Sequence, residues 1–183
     1  MNREQYMPGP AQGAEVRRNE GESWTLVLVR SLAHPPAKVW EAITEPKHLR
    51  EWAPFDSDTS LAIQGTSAKL TTVGAPAQHV TETKVSRAEP PRILEYTWGG
   101  GDMRWELEEQ GKGTRLTLWT NINRQYIAMG AAGWHIALDI LGHLLNGDHI
   151  GRITGPEAMQ FEGWQRLHAE YSQQFGVKPP SWS

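Results

Sequence analysis

The sequence predicts an α+β domain in which a curved antiparallel sheet of seven strands packs around a long C-terminal helix. Three observations lead to this fold class. Residues 59–120 form short runs with period-two hydrophobicity, divided by turn residues. The connections between these runs are too short for parallel crossovers. The last third of the chain has helical periodicity, and its apolar face is the available cover for one face of the sheet.

A chain of 183 residues suits a single folded domain with one core. Residues 1–22 are polar, aperiodic and punctuated by glycine and proline, so they bury too little apolar area to offset the entropy lost on ordering. We therefore expect a flexible N-terminal tail over 1–22, a single domain over 23–176 and a C-terminal tail over 177–183.

The first predicted elements are a strand and two short helices. The segment "WTLVLVRSL" at 24–32 is apolar on both parities, which is typical of a strand covered on at least part of both faces. Pro36 suits the first turn of a helix, and Pro46 must break a helix or restart one. These residues predict two short helices after the first strand, at about 36–44 and 46–52.

Six more strands and two further helices follow. The strand segments are, in order, "SLAIQ", "AKLTTV", "QHVTETKVSRA", "RILEYTWG", "DMRWELEEQ" and "TRLTLWTNI". The stretch from Gly130 to Leu145 has one broad apolar face centred on Trp134, with small residues at one end. One extra C-terminal helix is predicted at about 156–175, with Gly176 just past its end. We expect this extra helix to cover the part of the long helix that the sheet leaves open.

Composition limits the partners and the compartment. A formal net charge of −3, without a cluster of basic residues, argues against a nucleic-acid partner. The absence of cysteine excludes disulfides and thiolate metal sites, and it fits a reducing compartment. No apolar run reaches the roughly 18 residues of a membrane span, and residues 1–22 lack the apolar segment of a signal peptide. We therefore expect a cytoplasmic protein without a membrane span.

A polar stripe follows the long helix, because His135, Asp139 and His143 recur at every fourth residue. The two histidines are about 12 Å apart along a helix axis, which is too far for them to share one metal ion. His135 with Asp139 offers two ligands, fewer than the three protein groups of a typical catalytic zinc site. The stripe lies away from the apolar face, so we predict a solvated or tail-contacting surface and no metal site.

Five segments, taken in order, resemble one known superfamily. They are "VWEAITEPKHLREW", "ILEYTW", "WELEEQGKGTRLTL", "AAGWHIALDILGHLLNG" and "WQRLHAEYSQQFG". The chain resembles the SRPBCC, or START-like, superfamily, and within it the branch named after the activator of the ninety-kilodalton heat-shock protein's ATPase. The resemblance implies a helix-grip fold, in which the sheet wraps the long helix and leaves an apolar cavity between them. Across the superfamily this cavity holds lipids, sterols, polyketides or plant hormones, or serves aromatase and cyclase chemistry.

Ten residues form the candidate ligand-binding set for such a cavity. Tyr96 and Trp98 share one face of a predicted strand, and Trp105 lies on the corresponding face of the next strand. These rings either pack a closed core or line the cavity together with the long helix. Trp52 and Phe55 follow the second short helix, where they would form a lid or a plug. The full set is Trp52, Phe55, His79, Tyr96, Trp98, Arg104, Trp105, Trp134, Leu138 and Leu141.

Two members of this set are polar. His79 and Arg104 lie on predicted strands and would orient the polar end of a ligand; the alternative is that they lie on the exposed face of the sheet. The strand carboxylates Glu82, Glu95 and Glu106 are expected to be solvated, so no catalytic residue is predicted.

These observations favour a protein that binds a small apolar or aromatic molecule, without catalysis and without a cofactor. No nucleophile elbow occurs in the sequence, and the glycines at 99–101 open no helix that would hold a phosphate. Two alternatives stay open at this point. One is a polyketide cyclase-like or aromatase-like enzyme that uses the same cavity, and the other is a co-chaperone-like interaction module with a heat-shock chaperone as its partner.

Overall fold

The computed structural model describes residues 1–74 and 79–178 of the chain. Within these ranges the chain forms nine strands, five α-helices and one 3-10 turn. The strands are β1 Ala14–Arg17, β2 Ser23–Leu32, β3 Phe55–Ser57, β4 Ser67–Thr72, β5 His79–Lys84, β6 Arg87–Glu89, β7 Ile93–Trp98, β8 Gly101–Gln110 and β9 Gly113–Asn123. The helices are α1 Pro36–Thr44, α2 Pro46–Trp52, α3 Ile127–Leu145, α4 Gly155–Met159 and α5 Glu162–Phe175, and the 3-10 turn at Arg124–Tyr126 precedes α3.

The strands form a curved antiparallel sheet in two parts. The larger part has six strands in the order β1-β2-β9-β8-β7-β6, and the smaller part has three in the order β3-β4-β5. The two parts meet where β5 passes β7, since the backbone N–H of Thr97 donates to the hydroxyl of Thr83 at 3.0 Å. The α+β helix-grip class is therefore confirmed, with nine assigned strands in the described residues instead of the seven predicted.

The strand predicted at "SLAIQ" is not formed. Leu61 is buried instead as part of a loop over α1, and its backbone N–H donates to the carbonyl of Thr44 at 3.0 Å. Ile63, from the same segment, is 69% exposed. The pattern of alternating hydrophobicity in this segment therefore comes from one anchoring leucine in a loop.

The single strand predicted at "QHVTETKVSRA" is divided into β5 and β6. The chain changes its bonding partner at this point: the N–H of Val85 still donates to Thr66 beside β4, whereas the N–H of Ser86 donates to Glu95 in β7. One apolar pattern thus spans both parts of the sheet. Residues 75–78, with most of one predicted connection, and 179–183, with most of the predicted C-terminal tail, lie outside the described residues.

The N-terminal segment differs from the flexible tail that we expected over 1–22. Strand β1 pairs with β2 in antiparallel register, and the ring of Tyr6 is 4% exposed. Side chains of α5 hold the backbone of the segment, since Arg166 donates to the carbonyl of Gly9 at 3.0 Å and Gln174 to that of Ala14 at 2.8 Å. A few polar anchors and one tyrosine therefore order a segment whose apolar content is low.

Both short helices have the bounds that the prolines predict. Glu45, between them, is extended with ψ 131°, because the following Pro46 disfavours helical backbone for the residue before it. The last predicted helix is instead two helices, α4 and α5. Phe161 interrupts it with an extended backbone, and its ring stacks on Tyr6 with the centroids 6.0 Å apart. The interruption thus coincides with a contact to the N-terminal segment.

The long helix α3 is buried on most of its circumference. Leu138 and Leu141 are in the core, and Ile136 and Ile140 are buried as well. Helix α5 packs along α3, as expected for the extra helix. The stretch Arg124–Leu145 has the length and hydropathy of a membrane span, but 61% of its apolar 18-residue segment is buried inside the domain, as the central helix of this fold would be.

Candidate ligand-binding site

The space between the sheet and α3 is largely filled by aromatic side chains. Trp105 meets Trp52 edge-to-face at 6.0 Å between centroids, and it meets Trp134 in the same way at 5.8 Å. Phe55 lies against Tyr96 at 6.2 Å. The polar atoms of these rings have partners: the indole N–H of Trp105 donates to the Tyr96 hydroxyl at 3.1 Å, and that of Trp52 donates to the carbonyl of Ala42 at 2.9 Å. The centre of the predicted cavity is therefore a packed core.

An open hollow of about 380 Å³ lies beside this core, between the N-terminal half of α3 and α4. We call it the apolar hollow. Its lining is mostly apolar and aromatic, and consists of Pro54, Trp98, Ile122, Tyr126, Met129, Gly130, Gly133, Trp134, Thr154, Gly155, Pro156, Ala158, Met159 and Trp164.

Two glycines of α3 shape the apolar hollow. A Cβ atom on Gly130 would be 2.4 Å from Cδ1 of Ile122, so this glycine permits a close approach between α3 and β9. A Cβ atom on Gly133 would meet nothing within 4 Å, so the second glycine leaves the space of the hollow open. Glycine within a helix costs stability relative to alanine, and here its small size creates a concave surface.

A second hollow of about 540 Å³ adjoins the first at the end of the sheet. We call it the polar shelf. It shares Trp98, Ile122, Tyr126 and Trp134 with the apolar hollow. Its remaining lining is mostly polar or glycine, and consists of Glu22, Ser23, Thr72, His79, Gly99, Gly100, Gly101, Thr120, Asn121 and Asn123.

The candidate residues are divided between the core and these hollows. Trp98 and Trp134 line both hollows, and His79 lines the polar shelf at its exposed rim. The other apolar candidates are buried and line neither hollow: Trp52, Phe55, Tyr96, Trp105, Leu138 and Leu141. These side chains belong to the packed core next to the two hollows.

Arg104 lies on the outer face of the sheet, away from both hollows. Its guanidinium donates to Glu95 at 3.0 Å and to Glu106 at 3.3 Å, and it covers the ring of Trp119 at 5.4 Å from the centroid. Met103 and Trp105, its neighbours in β8, are buried on the opposite face. Arg104 therefore lies on the exposed face of the sheet, as the alternative prediction had it. It lines neither hollow, so it does not have the position from which it would orient a ligand's polar end.

Several lining residues were not in the candidate set. Ile122, Tyr126 and Met129 lie around the start of α3, while Met159 and Trp164 come from α4 and α5. One usable signal was present, the pair of glycines at 130 and 133 inside an otherwise apolar helix. The contribution of α4 carried no comparable signal, because the sequence predicted one continuous helix there.

The polar stripe of α3 lies on the far side from the hollows, under the N-terminal segment. Asp139 accepts a hydrogen bond from the Tyr6 hydroxyl at 2.5 Å and forms an ion pair with Arg30. His143 meets the Tyr6 ring edge-on at 5.9 Å. The expected contact with the tail is therefore present at Asp139 and His143.

His135 corrects the prediction of a solvated stripe, because it is 2% exposed. Its Nδ1 lies 2.6 Å from the hydroxyl of Tyr171 in α5. Burial, and to a smaller extent the positive charge of Arg30, lowers the pKa of His135 to about 4. Within residues 1–74 and 79–178, no three histidine, aspartate or glutamate side chains are grouped so as to hold a metal ion.

Comparisons with solved structures agree with the helix-grip architecture. A conserved protein of Enterococcus faecalis, EF2215, superposes with a TM-score of 0.67 at 17% identity, over 88% of this chain and 89% of that one. CalU16 from Micromonospora echinospora has a TM-score of 0.62 at 24% identity, over 88% and 98%. DynU16, from the dynemicin biosynthetic locus, has a TM-score of 0.61 at 21% identity, over 72% and 51%. At these identities the likeness concerns the fold alone.

A comparison with proteins of curated function finds no match. The model of one protein family does match, with the description "Activator of Hsp90 ATPase homolog 1-like protein", over residues 33–146. This range is more than half of the chain, and it runs from the start of α1 to the end of α3. The order of elements, the superposed structures and the matched range agree, and the chain therefore belongs to the family of Activator of Hsp90 ATPase homolog 1-like proteins, within the SRPBCC superfamily.

Proposed function

We propose that this protein binds a small apolar or aromatic molecule in the apolar hollow. The observation that carries the proposal is an open, concave, mostly apolar space beside an otherwise filled core. An apolar ligand that buries about 300 Å² there gains on the order of 7 kcal/mol at about 25 cal/mol per Å², before the costs of association. A micromolar complex needs about 8 kcal/mol after these costs, so the ring contacts of the lining have to add to the apolar burial.

The lining suits a flat ring. Trp98, Trp134 and Trp164 offer aromatic surface for offset or edge-to-face contacts with an aromatic ligand. Met129 and Met159 are unbranched and polarizable, so they adapt to ligands of different outline. These properties favour a ligand with one or two fused rings over a long flexible chain.

The lining favours binding over acid–base catalysis. Among the described residues around the two hollows, the titratable side chains are Glu22, His79 and Tyr126, and all three are exposed. A general acid or base normally lies in an enclosed site that excludes water from the reacting atoms, which an exposed rim does not provide. We therefore prefer the binding role to the cyclase-like alternative.

The proposal also includes the kind of partner and the cellular compartment of the protein. The family is described by an interaction with a chaperone ATPase, and capture of the host's chaperone by the purified chain would support that alternative. The small-molecule role is preferred because the hollow is a specific feature of the described residues. The lack of cysteine fits a cytoplasmic location.

The decisive experiment varies the size of one side chain. The probe is 1-naphthol, and its binding is followed through the indole N–H resonances of the tryptophans. Gly133→Leu places a branched side chain in the hollow, so it should weaken binding at least tenfold without lowering the thermal midpoint. Gly133→Ala, the matched control, should bind almost as well as the unaltered protein. If 1-naphthol binds Gly133→Leu as tightly as it binds the unaltered protein, the apolar hollow is not its binding site.

A further inference from the structure

The two hollows differ in chemistry, although they share four lining residues. Among the described lining residues of the apolar hollow, Thr154 and Tyr126 are the polar side chains besides the indole groups. The lining of the polar shelf includes Ser23, Thr72, Thr120, Asn121 and Asn123. The Asn121 amide already donates to the hydroxyl of Thr25 at 3.1 Å, and the Asn123 side chain accepts from the N–H of Gln125 at 2.9 Å, so the hydroxyls of Thr72 and Thr120 are the main polar groups toward α3. A ligand that extends across the shared residues would therefore meet two different environments.

The groups of the polar shelf are mainly uncharged. Among the described residues its titratable side chains are Glu22, His79 and Tyr126, and all three are exposed. Glu22 is also within 3.5 Å of the Arg124 guanidinium, which balances its charge. Among the lining residues that the structure describes, no buried charge would pair with an ammonium, a carboxylate or a phosphate, and a buried ligand charge without such a partner is costly.

Hydroxyl and amide groups both donate and accept hydrogen bonds, so they match ligand hydroxyls. The glycines at 99–101 add a stretch of backbone without side chains, and a Cβ atom on Gly99 or Gly100 would meet nothing within 4 Å. This stretch forms an open side of the shelf that a ring can approach closely. Trp98, at the boundary, is half-buried, and its indole N–H already donates to the hydroxyl of Thr72 at 3.1 Å.

Thr120 has a particular position in this lining. It lies on β9 with the same parity as Leu118 and Ile122, which is the face toward α3, and it is 4% exposed. Its hydroxyl is therefore at the inner end of the shelf, two residues from Ile122, which lines both hollows. A hydroxyl on an arm that extends past Ile122 onto the shelf would meet it first.

From this juxtaposition we infer that the ligand is amphipathic, with an aromatic body in the apolar hollow and a neutral, hydroxylated arm, such as a glycosyl group, on the polar shelf. The inference rests on the proposed function and adds the class of ligand and the orientation of its two ends. Thr120 is the residue that selects for the arm. A charged arm gains no comparable contact.

The test compares three probes that share one aromatic body: 1-naphthol, 1-naphthyl β-D-glucoside and 1-naphthyl phosphate. Titration calorimetry should find the glucoside about fivefold or more tighter than the naphthol, as one or two net hydrogen bonds would give. The phosphate should bind no tighter than the naphthol. Thr120→Val keeps the shape of the side chain and removes its hydroxyl, so it should reduce the advantage of the glucoside and leave naphthol binding unchanged.

The outcomes distinguish a failure of this inference from a failure of the proposed function. If naphthol binds and the glucoside binds equally or more weakly, the inference is wrong and the proposed function stands. The same conclusion follows if the phosphate binds most tightly, or if the advantage of the glucoside survives Thr120→Val. If neither the naphthol nor the glucoside binds, the proposed function fails as well. Naphthol affinity and the thermal midpoint of Thr120→Val report whether that variant is folded.

Discussion

The indole ring of Trp134 meets that of Trp98 edge-to-face, with 5.9 Å between the ring centroids. On its other side Trp134 meets Trp105 in the closed core. Trp134 therefore belongs to two environments, since it completes the aromatic packing under α3 and also forms a wall of both hollows. The same ring stabilises the fold and bounds the candidate site.

Replacement of this ring should cost stability. Trp134→Ala removes a nearly buried indole that contacts two other tryptophans, and we expect the free energy of unfolding to fall by about 3–5 kcal/mol. Denaturant unfolding followed by circular dichroism measures this decrease in stability. Trp119→Ala is the control, because Trp119 lies half-exposed on the outer face, so the decrease in stability should be clearly smaller in this variant. Equal losses would contradict the central position of Trp134.

The two glycines of α3 should respond differently to alanine. Gly133→Ala gains helix propensity and meets open space, so we expect a stabilisation of about 0.5–1 kcal/mol. Gly130→Ala gains the same propensity, but its Cβ atom forces Ile122 to move, so its stability should be lower than that of Gly133→Ala by about 1 kcal/mol or more. Thermal unfolding of both variants measures the difference, and an identical gain at the two positions would show that the close approach at Gly130 is absent.

Stability should fall with acid because of His135. Its pKa is lowered to about 4 in the folded chain, against about 6.5 when unfolded, so the unfolded state binds more protons between these values. Stability from the neutral, buried imidazole is complete above pH 6.5 and is lost as the pH falls toward 4, by up to about 3 kcal/mol. Denaturant unfolding from pH 7 to 4 measures this slope. His135→Gln should flatten it, and an unchanged slope would assign the acid sensitivity to other groups.

Arg104 should not affect ligand binding. It is on the outer face with Glu95 and Glu106, and its side chain is 39% exposed, so Arg104→Ala should change stability by no more than about 1 kcal/mol. The affinity for 1-naphthol should be unchanged in this variant. Trp98→Ala, in the neighbouring strand, should weaken it because Trp98 lines both hollows. A loss of affinity for 1-naphthol in Arg104→Ala would show that Arg104 contributes to ligand binding.

Local rules predicted the elements that depend on local chemistry. Pro36 and Pro46 define the starts of α1 and α2, and Gly176 ends α5 in a left-handed conformation with φ 65°. Period-two patterns located β4, β7, β8 and β9. They did not distinguish a true strand from the loop around Leu61, because one buried leucine between polar residues gives the same pattern.

The rest depends on contacts between distant parts of the chain. The order of the N-terminal segment depends on Tyr6 reaching Asp139, 133 residues away, which no local pattern reports. The same segment contacts Phe161, the residue at which the last predicted helix is divided. The candidate site was predicted at the centre of the cavity from aromatic residues on facing strands, but those rings are large enough to fill the centre themselves. The open space is instead found beside the N-terminal half of α3, where Gly133 has no side chain.

The central claim is that a ligand enters the apolar hollow and not the aromatic core. The five methionines provide a direct measurement, because Met129 and Met159 line the hollow and Met103 lies in the closed core. With methyl-labelled methionine and bound 1-naphthol, intermolecular nuclear Overhauser effects should reach the methyl groups of Met129 and Met159 and be absent from Met103. Effects at Met103 without any at Met129 and Met159 would contradict this account.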